Sequence, residues 1–199
     1  MTLHSHPATI SAEIAAVAAR WVVEDGLDYS AAKQRALSQL GLNGRRMTLP
    51  DLAQLEDAVH AHLRLYRADS HADELRLLRL LARDWLQRLS PLRPHLSGAV
   101  WRGTATRLSS IEIDLYCDDP KAAEIELLNQ GLSFQTHGGS ADALPALSLR
   151  SQTALGWIPV VLFVRDHDAL RGALKPDAQG RAWCGALTAL QRLLDEDIT

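Results

Sequence analysis

Apolar residues recur at helical spacing through the first half of the chain, and at strand spacing in parts of the second. Over residues 8 to 25, Ile14, Val17, Ala18, Trp21 and Val22 fall on one stripe of a helix, with Ser11 as a candidate N-cap and Gly26 as its stop. A second helix is expected from Ala31 to Leu40, opened by Tyr29-Ser30 and closed by Gly41. Leu49-Pro50-Asp51 introduces a third that runs to about Ala68, with Leu52, Leu55, Val59, Leu63 and Tyr66 on its apolar side. A fourth spans His71 to Leu89, with Leu75, Leu78, Leu81, Trp85 and Leu89 turned inward and Arg76, Arg79 and Arg83 along an outer face. Such an arginine stripe is a solvated face, an inter-subunit surface or a phosphate-binding face, which leaves a homo-oligomer open. Ser90-Pro-Leu-Arg-Pro94 breaks that helix.

The period then changes. In Ile111-Glu-Ile-Asp-Leu-Tyr116 the aliphatics alternate with Glu112, Asp114 and Tyr116, the two-residue period of a strand with one buried face. Ala99-Val-Trp-Arg102 reads as a short strand before it, with Gly103-Thr104 as a turn and a polar loop between. Further on, a helix from Pro120 to Gln130 stops at Gly131. Strands follow at Leu132–Thr136, Leu147–Ser151 and Ile158–Val164, then a helix from Cys184 to about Leu194. Pro159 places the last strand at an edge, or its own position at a strand start. The expected fold is α+β: an N-terminal helical region, residues 1–95, and a small mixed sheet with flanking helices, residues 96–199.

Glu112 and Asp114 are the candidate chemistry. Side chains two apart on a strand share a face and lie about 7 Å apart along it. Two neighbouring carboxylates repel, so such a pair holds a cation or stays in solvent. Arg107 is the one cationic side chain near them in sequence. Arg165-Asp-His-Asp168 follows the last strand, either beside a site or as a cap for the next helix.

The stretch from Ala99 to Tyr116 resembles the signature of the polymerase-β-type nucleotidyltransferase superfamily. Gly103-Thr104 stands in the place of its Gly-Ser turn, and Glu112-Ile-Asp-Leu115 in the place of its paired acids. The resemblance implies a nucleotidyltransferase-like fold and transfer of a nucleotidyl group from a nucleoside triphosphate. The acceptor is undefined: RNA, a protein or a small molecule. It further implies Mg²⁺ or Mn²⁺ on Glu112 and Asp114, phosphates at Gly103 and Thr104, and charge neutralisation by Arg107. The family's third carboxylate has no counterpart in Ile158–Val164, so Asp166 and Asp168 are the candidates for it. The alternative is a catalytically inactive fold of the same kind, serving as a protein or RNA interaction module.

Composition narrows the field without choosing. At 199 residues, 47% hydrophobic and 23% charged, the chain can bury a core of its own. Up to Leu96 there are 12 Lys and Arg against 11 Asp and Glu, and from Ser97 onward 9 against 13. Neither half has the basic excess of a dedicated nucleic-acid binder. No apolar run reaches the roughly 20 residues of a membrane span, and the N-terminus lacks the pattern of an export signal. No membrane partner and a cytoplasmic location are therefore expected, with Cys117 and Cys184 as free thiols. Walker-A, dinucleotide, zinc-protease and CxxC patterns are absent from the sequence.

Overall fold

The structure is a computed structural model that describes residues 7–44, 47–117, 119–138, 145–153, 156–177 and 180–196. The sequence Asn43-Gly-Arg-Arg46 reads as a basic surface turn and His137-Gly-Gly-Ser-Ala-Asp142 as a connecting loop; Arg45, Arg46, Asp118 and residues 139–142 lie outside the described residues. The chain forms two compact units, residues 1–71 and 72–199. The fourth helix therefore goes with the sheet, not with the helices before it.

The first unit holds α1 (Pro7–Asp25), α2 (Tyr29–Gln39) and α3 (Leu52–Tyr66). Asp28 and Asp51 start the second and third of these. Asp28 accepts from the Ala31 N–H, and Asp51 forms a reciprocal capping box with Gln54. Ile14, Ala18, Ala32, Ala36 and Leu55 make one buried cluster; Ala19, Val23, Val59 and Leu63 make another. Ser11 sits inside α1, not at its start, and its hydroxyl donates to Gln54 Oε1 at 3.3 Å. Trp21, expected in the core, is only half-buried. Its indole N–H donates to Gln39 Oε1 at 3.1 Å, and the guanidinium groups of Arg20 and Arg35 lie 5.3 and 5.0 Å from its ring. A ring whose faces attract cations has a stable place at a wet boundary.

The second unit is a five-stranded mixed sheet with helices. After α4 (Ala68–Arg88) and a 3₁₀ turn at Ser90–Leu92, the chain forms β1 (Pro94–Ser97), α5 (Gly98–Arg102) and β2 (Ile111–Tyr116). Then come α6 (Pro120–Asn129), β3 (Gln135–His137), β4 (Ala146–Thr153), β5 (Gly156–Arg165), α7 (His167–Ala173) and α8 (Leu187–Glu196). The strand order is β1-β2-β5-β4-β3. β2 runs parallel to β5, and the other neighbours are antiparallel. Pro159 is tolerated in the central β5 because pairing with β2 starts only at Val160, so at Pro159 the strand has one neighbour.

Ile111, Ile113 and Leu115 are fully buried, as the alternation requires. They share a core with Val160, Leu162 and Val164 of β5, with Leu78, Ala82, Trp85 and Leu86 of α4, and with Leu127 and Leu190. Three expectations are corrected here. Residues 99–102 are helix, not strand: Gly98 at φ +64° turns the chain out of β1, and Val100 buries itself completely. Arg79 is buried, not outward; its Nε donates to the Val100 carbonyl at 3.4 Å. The last helix begins at Leu187, not Cys184, because Gly185 exchanges two backbone hydrogen bonds with Leu96 and so extends the β1 edge.

The central position of Ile113 yields a stability test. Ile113→Ala leaves a cavity against α4 and β5 and should cost about 2–5 kcal/mol in chemical denaturation. A loss under about 1 kcal/mol would show that this face is not the tightly packed one.

Candidate functional site

The face of β2 opposite the core carries Glu112, Asp114 and Tyr116. Register sets their neighbours. On the β1 side Ser97 pairs with Glu112 and His95 with Asp114; on the β5 side Val161 pairs with Glu112, Phe163 with Asp114 and Arg165 with Tyr116. This face lines a cleft of about 500 Å³, walled by α7 and by Trp183 and Cys184.

The two acids share the face but not the environment. Asp114 is buried at 5% exposure, and the Arg165 Nε–H donates to its Oδ1 at 2.5 Å. Glu112 is half-buried, and among the described residues its carboxylate has no ion-pair or hydrogen-bond partner. Burial, and then the adjacent Asp114 charge, push its pKa above the ordinary 4.5. Next to Asp114 on this face, the Tyr116 hydroxyl is buried and, among the described residues, has no partner of hydrogen-bonding geometry; its ring meets His95 edge-on at 5.2 Å. The Cys184 thiol is close enough to perturb that hydroxyl, but its own S–H points to the Ala173 carbonyl at 3.7 Å. Burial first, then Asp114, raises the pKa of both Tyr116 and Cys184, so both stay protonated at neutral pH.

Gly103, Thr104 and Arg107 lie outside the cleft lining. Gly103, at φ +78°, caps the C-terminus of α5, and its N–H and that of Thr104 both donate to the Ala99 carbonyl. The Thr104 side chain is buried, and the exposed Arg107 gives its N–H to Glu74 at 3.2 Å. The glycine that does stand beside the acidic pair is Gly98, at the other end of α5. A Cβ there would sit 2.5 Å from Glu112 Oε2, so this φ +64° turn is glycine for two reasons. Asp166 caps α7, accepting from the Ala169 N–H at 2.8 Å, and Asp168 is exposed in the first turn of α7. Neither lines the cleft.

Arg165, Gly98, Tyr116 and the Trp183-Cys184 wall had no assigned role in the sequence reading. The wall is held from α5. Arg102 donates to Asp177 Oδ2 at 3.2 Å in a buried ion pair and to the Ala182 carbonyl, while its guanidinium lies 4.9 Å from the Trp183 ring. Trp101 Nε1 donates to the same carbonyl at 2.9 Å. The parity of Val161, Phe163 and Arg165 along β5 was a usable signal for Arg165. The missing piece was that β5 lies parallel to β2.

As a donor set, the face offers a cation one carboxylate that is not already paired, since Asp114 is held by Arg165. Glu112 offers an unpaired carboxylate whose charge burial disfavours, and a cation there would relieve that cost. It does not fit a two-ion arrangement, because Val161 and Phe163 are apolar where β5 would supply a third carboxylate. Among the described residues no group of three His, Cys, Asp or Glu side chains could enclose a metal. No helix of the described residues is long and apolar enough to cross a membrane. Compared with protein-family models, with curated proteins and with solved structures, the chain finds no match.

Two outcomes follow. A raised folded-state pKa means that the native state holds the Glu112 proton where the unfolded chain has released it. Stability from this group is complete below pH 4.5 and is lost as pH climbs through the raised value. Glu112→Gln should therefore melt progressively higher than wild type as pH rises from about 4 to about 8; parallel curves would remove the burial argument. Gly98→Ala should cost about 1–3 kcal/mol, from left-handed strain and the clash with Glu112. Wild-type stability would show that the turn relaxes freely.

Proposed function

We propose that the second unit is a nucleotidyltransferase-like module whose cleft takes a nucleoside triphosphate with Mg²⁺ or Mn²⁺ and passes a nucleotidyl group to an acceptor. The observation that carries this reading is the position of Glu112 and Asp114. They lie side by side on β2, facing away from the core, next to a glycine turn that leads from β1 into α5. Glu112, with Asp114 beside it, would hold the ion; such an ion polarises phosphate oxygens and lowers the pKa of an attacking hydroxyl. The chain's own contributions are spatial and electrostatic. The Gly98 turn has no side chain to fill the space over Glu112. The α7 and Trp183 walls bound the cleft.

A second reading, the inactive interaction module for a protein or RNA, draws on a different observation. Asp114 already has a cation in Arg165, and β5 offers apolar residues beside both acids. A metal would have to compete with a guanidinium that belongs to the fold.

The readings separate in a thermal-shift series with each of the four nucleoside triphosphates, with and without Mg²⁺ or Mn²⁺. A native-state ligand at about 100 times its Kd stabilises by about 2.7 kcal/mol, a shift of a few degrees. Nucleotidyl transfer predicts a metal-dependent shift that Glu112→Ala with Asp114→Ala abolishes while the circular dichroism spectrum stays folded. Equal melting temperatures in every condition would sink the enzyme and leave the interaction module.

A further inference from the structure

Arg165 ends β5 with its side chain one-third exposed and lines the cleft. Its hydrogen bond to Asp114 uses Nε alone; among the described residues neither Nη makes a hydrogen bond. The guanidinium is planar, with five N–H donors in fixed directions. Anchoring it through Nε sets the plane and leaves the Nη1–Nη2 fork, the edge that meets two oxygens of a phosphate in parallel. The ring of Phe163 lies 5.9 Å from the guanidinium carbon, and the strand register of β2 and β5 holds both residues in place. Asp114 is itself almost wholly buried, so its carboxylate is a fixed anchor.

We propose that Arg165 is the phosphate-binding residue of the cleft and that Asp114 positions it, so that the ligand is engaged through its phosphate chain at the β5 end of the site. This rests on the nucleotide reading for the identity of the chain and reassigns the charge-neutralising role from Arg107 to Arg165. It also explains why an arginine, and not a third acid, belongs on this face.

The test is a calorimetric titration of tripolyphosphate and of ATP, each in EDTA and in Mg²⁺, into wild type and three variants. Wild type should bind tripolyphosphate in EDTA. Arg165→Ala should weaken it roughly tenfold or more, the scale of a lost charge-assisted contact. Arg165→Gln keeps a donor for Asp114 while removing the fork, and should lose binding equally, which covers the case of an alanine variant that fails to fold. Asp114→Asn keeps an acceptor for Nε but sheds a negative charge, and should tighten tripolyphosphate. Wild-type affinity in Arg165→Gln, or a loss in Asp114→Asn matching that in Arg165→Gln, overturns the assignment. ATP with Mg²⁺ binding wild type and Arg165→Gln alike would retain the nucleotide reading and remove the role of Arg165. Tripolyphosphate binding without ATP binding would retain Arg165 as an anion site and remove the nucleotide. No binding of either to wild type removes both.

Discussion

Asp114 and Arg165 are fifty-one positions apart in the chain, and the contact between them depends on the parallel pairing of β2 with β5. A carboxylate buried on a sheet face costs several kcal/mol unless a charge or a set of donors meets it. Here one guanidinium meets it. That contact settles the chemistry of the whole polar face. Asp114 is neutralised in place, Glu112 is left as the unpaired acid, and Arg165 lines the cleft. Removing Arg165 would strand the buried Asp114 charge, whereas Arg165 without Asp114 would keep its contact with solvent.

The rest of the second unit can be read as support for that face. The opposite side of β2 is anchored by Ile111, Ile113 and Leu115, which fix the strand's rotation and so the direction of its acids. The Gly98 turn brings the chain off β1 without obstructing Glu112. The buried Arg102–Asp177 pair ties the segment bearing Trp183 and Cys184 to α5, so that the cleft's far wall is held by the same helix that the glycine turn begins. The Leu96–Gly185 bridge adds a backbone tie at the edge of the sheet. None of these contacts is local in sequence, and a disturbance in any of them would be felt at Glu112.

Nucleotidyl transfer and non-catalytic binding make opposite use of the arginine. A metal enzyme of the kind the motif resembles needs a third carboxylate on the later strand, where β5 has Val161 and Phe163, and an Asp114 free to take a cation. A binding module needs neither, and gains from a preset cationic fork. The electrostatics of the face, two acids and one base, leaves room for one further cation and suits a ligand that brings its own, as a magnesium-bound phosphate chain does.

The sequence by itself determined what depends on near neighbours. The alternation of Ile111, Ile113 and Leu115 with Glu112 and Asp114 dictated a one-sided strand, because side chains on a strand switch faces at every residue. Leu49-Pro50-Asp51 announced the start of α3, because a cap bonds within three residues. Leu78 and Trp85 were legible as core from helical spacing. Trp21 and Arg79 were misjudged by the same rule, since spacing gives a face but not the partners that let a ring stay wet or a guanidinium go inside. Residues 99–102 looked like a strand because four residues carry too little periodicity to distinguish a buried turn of helix. Only the tertiary structure decided the candidate site. It put Gly98, not Gly103, beside Glu112, because the two glycines sit at opposite ends of α5 and only one end meets that side chain. It put Arg165, not Arg107, in the cleft, because the pairing of β2 with β5 is a long-range choice, made by the fit of two apolar strand faces into one core.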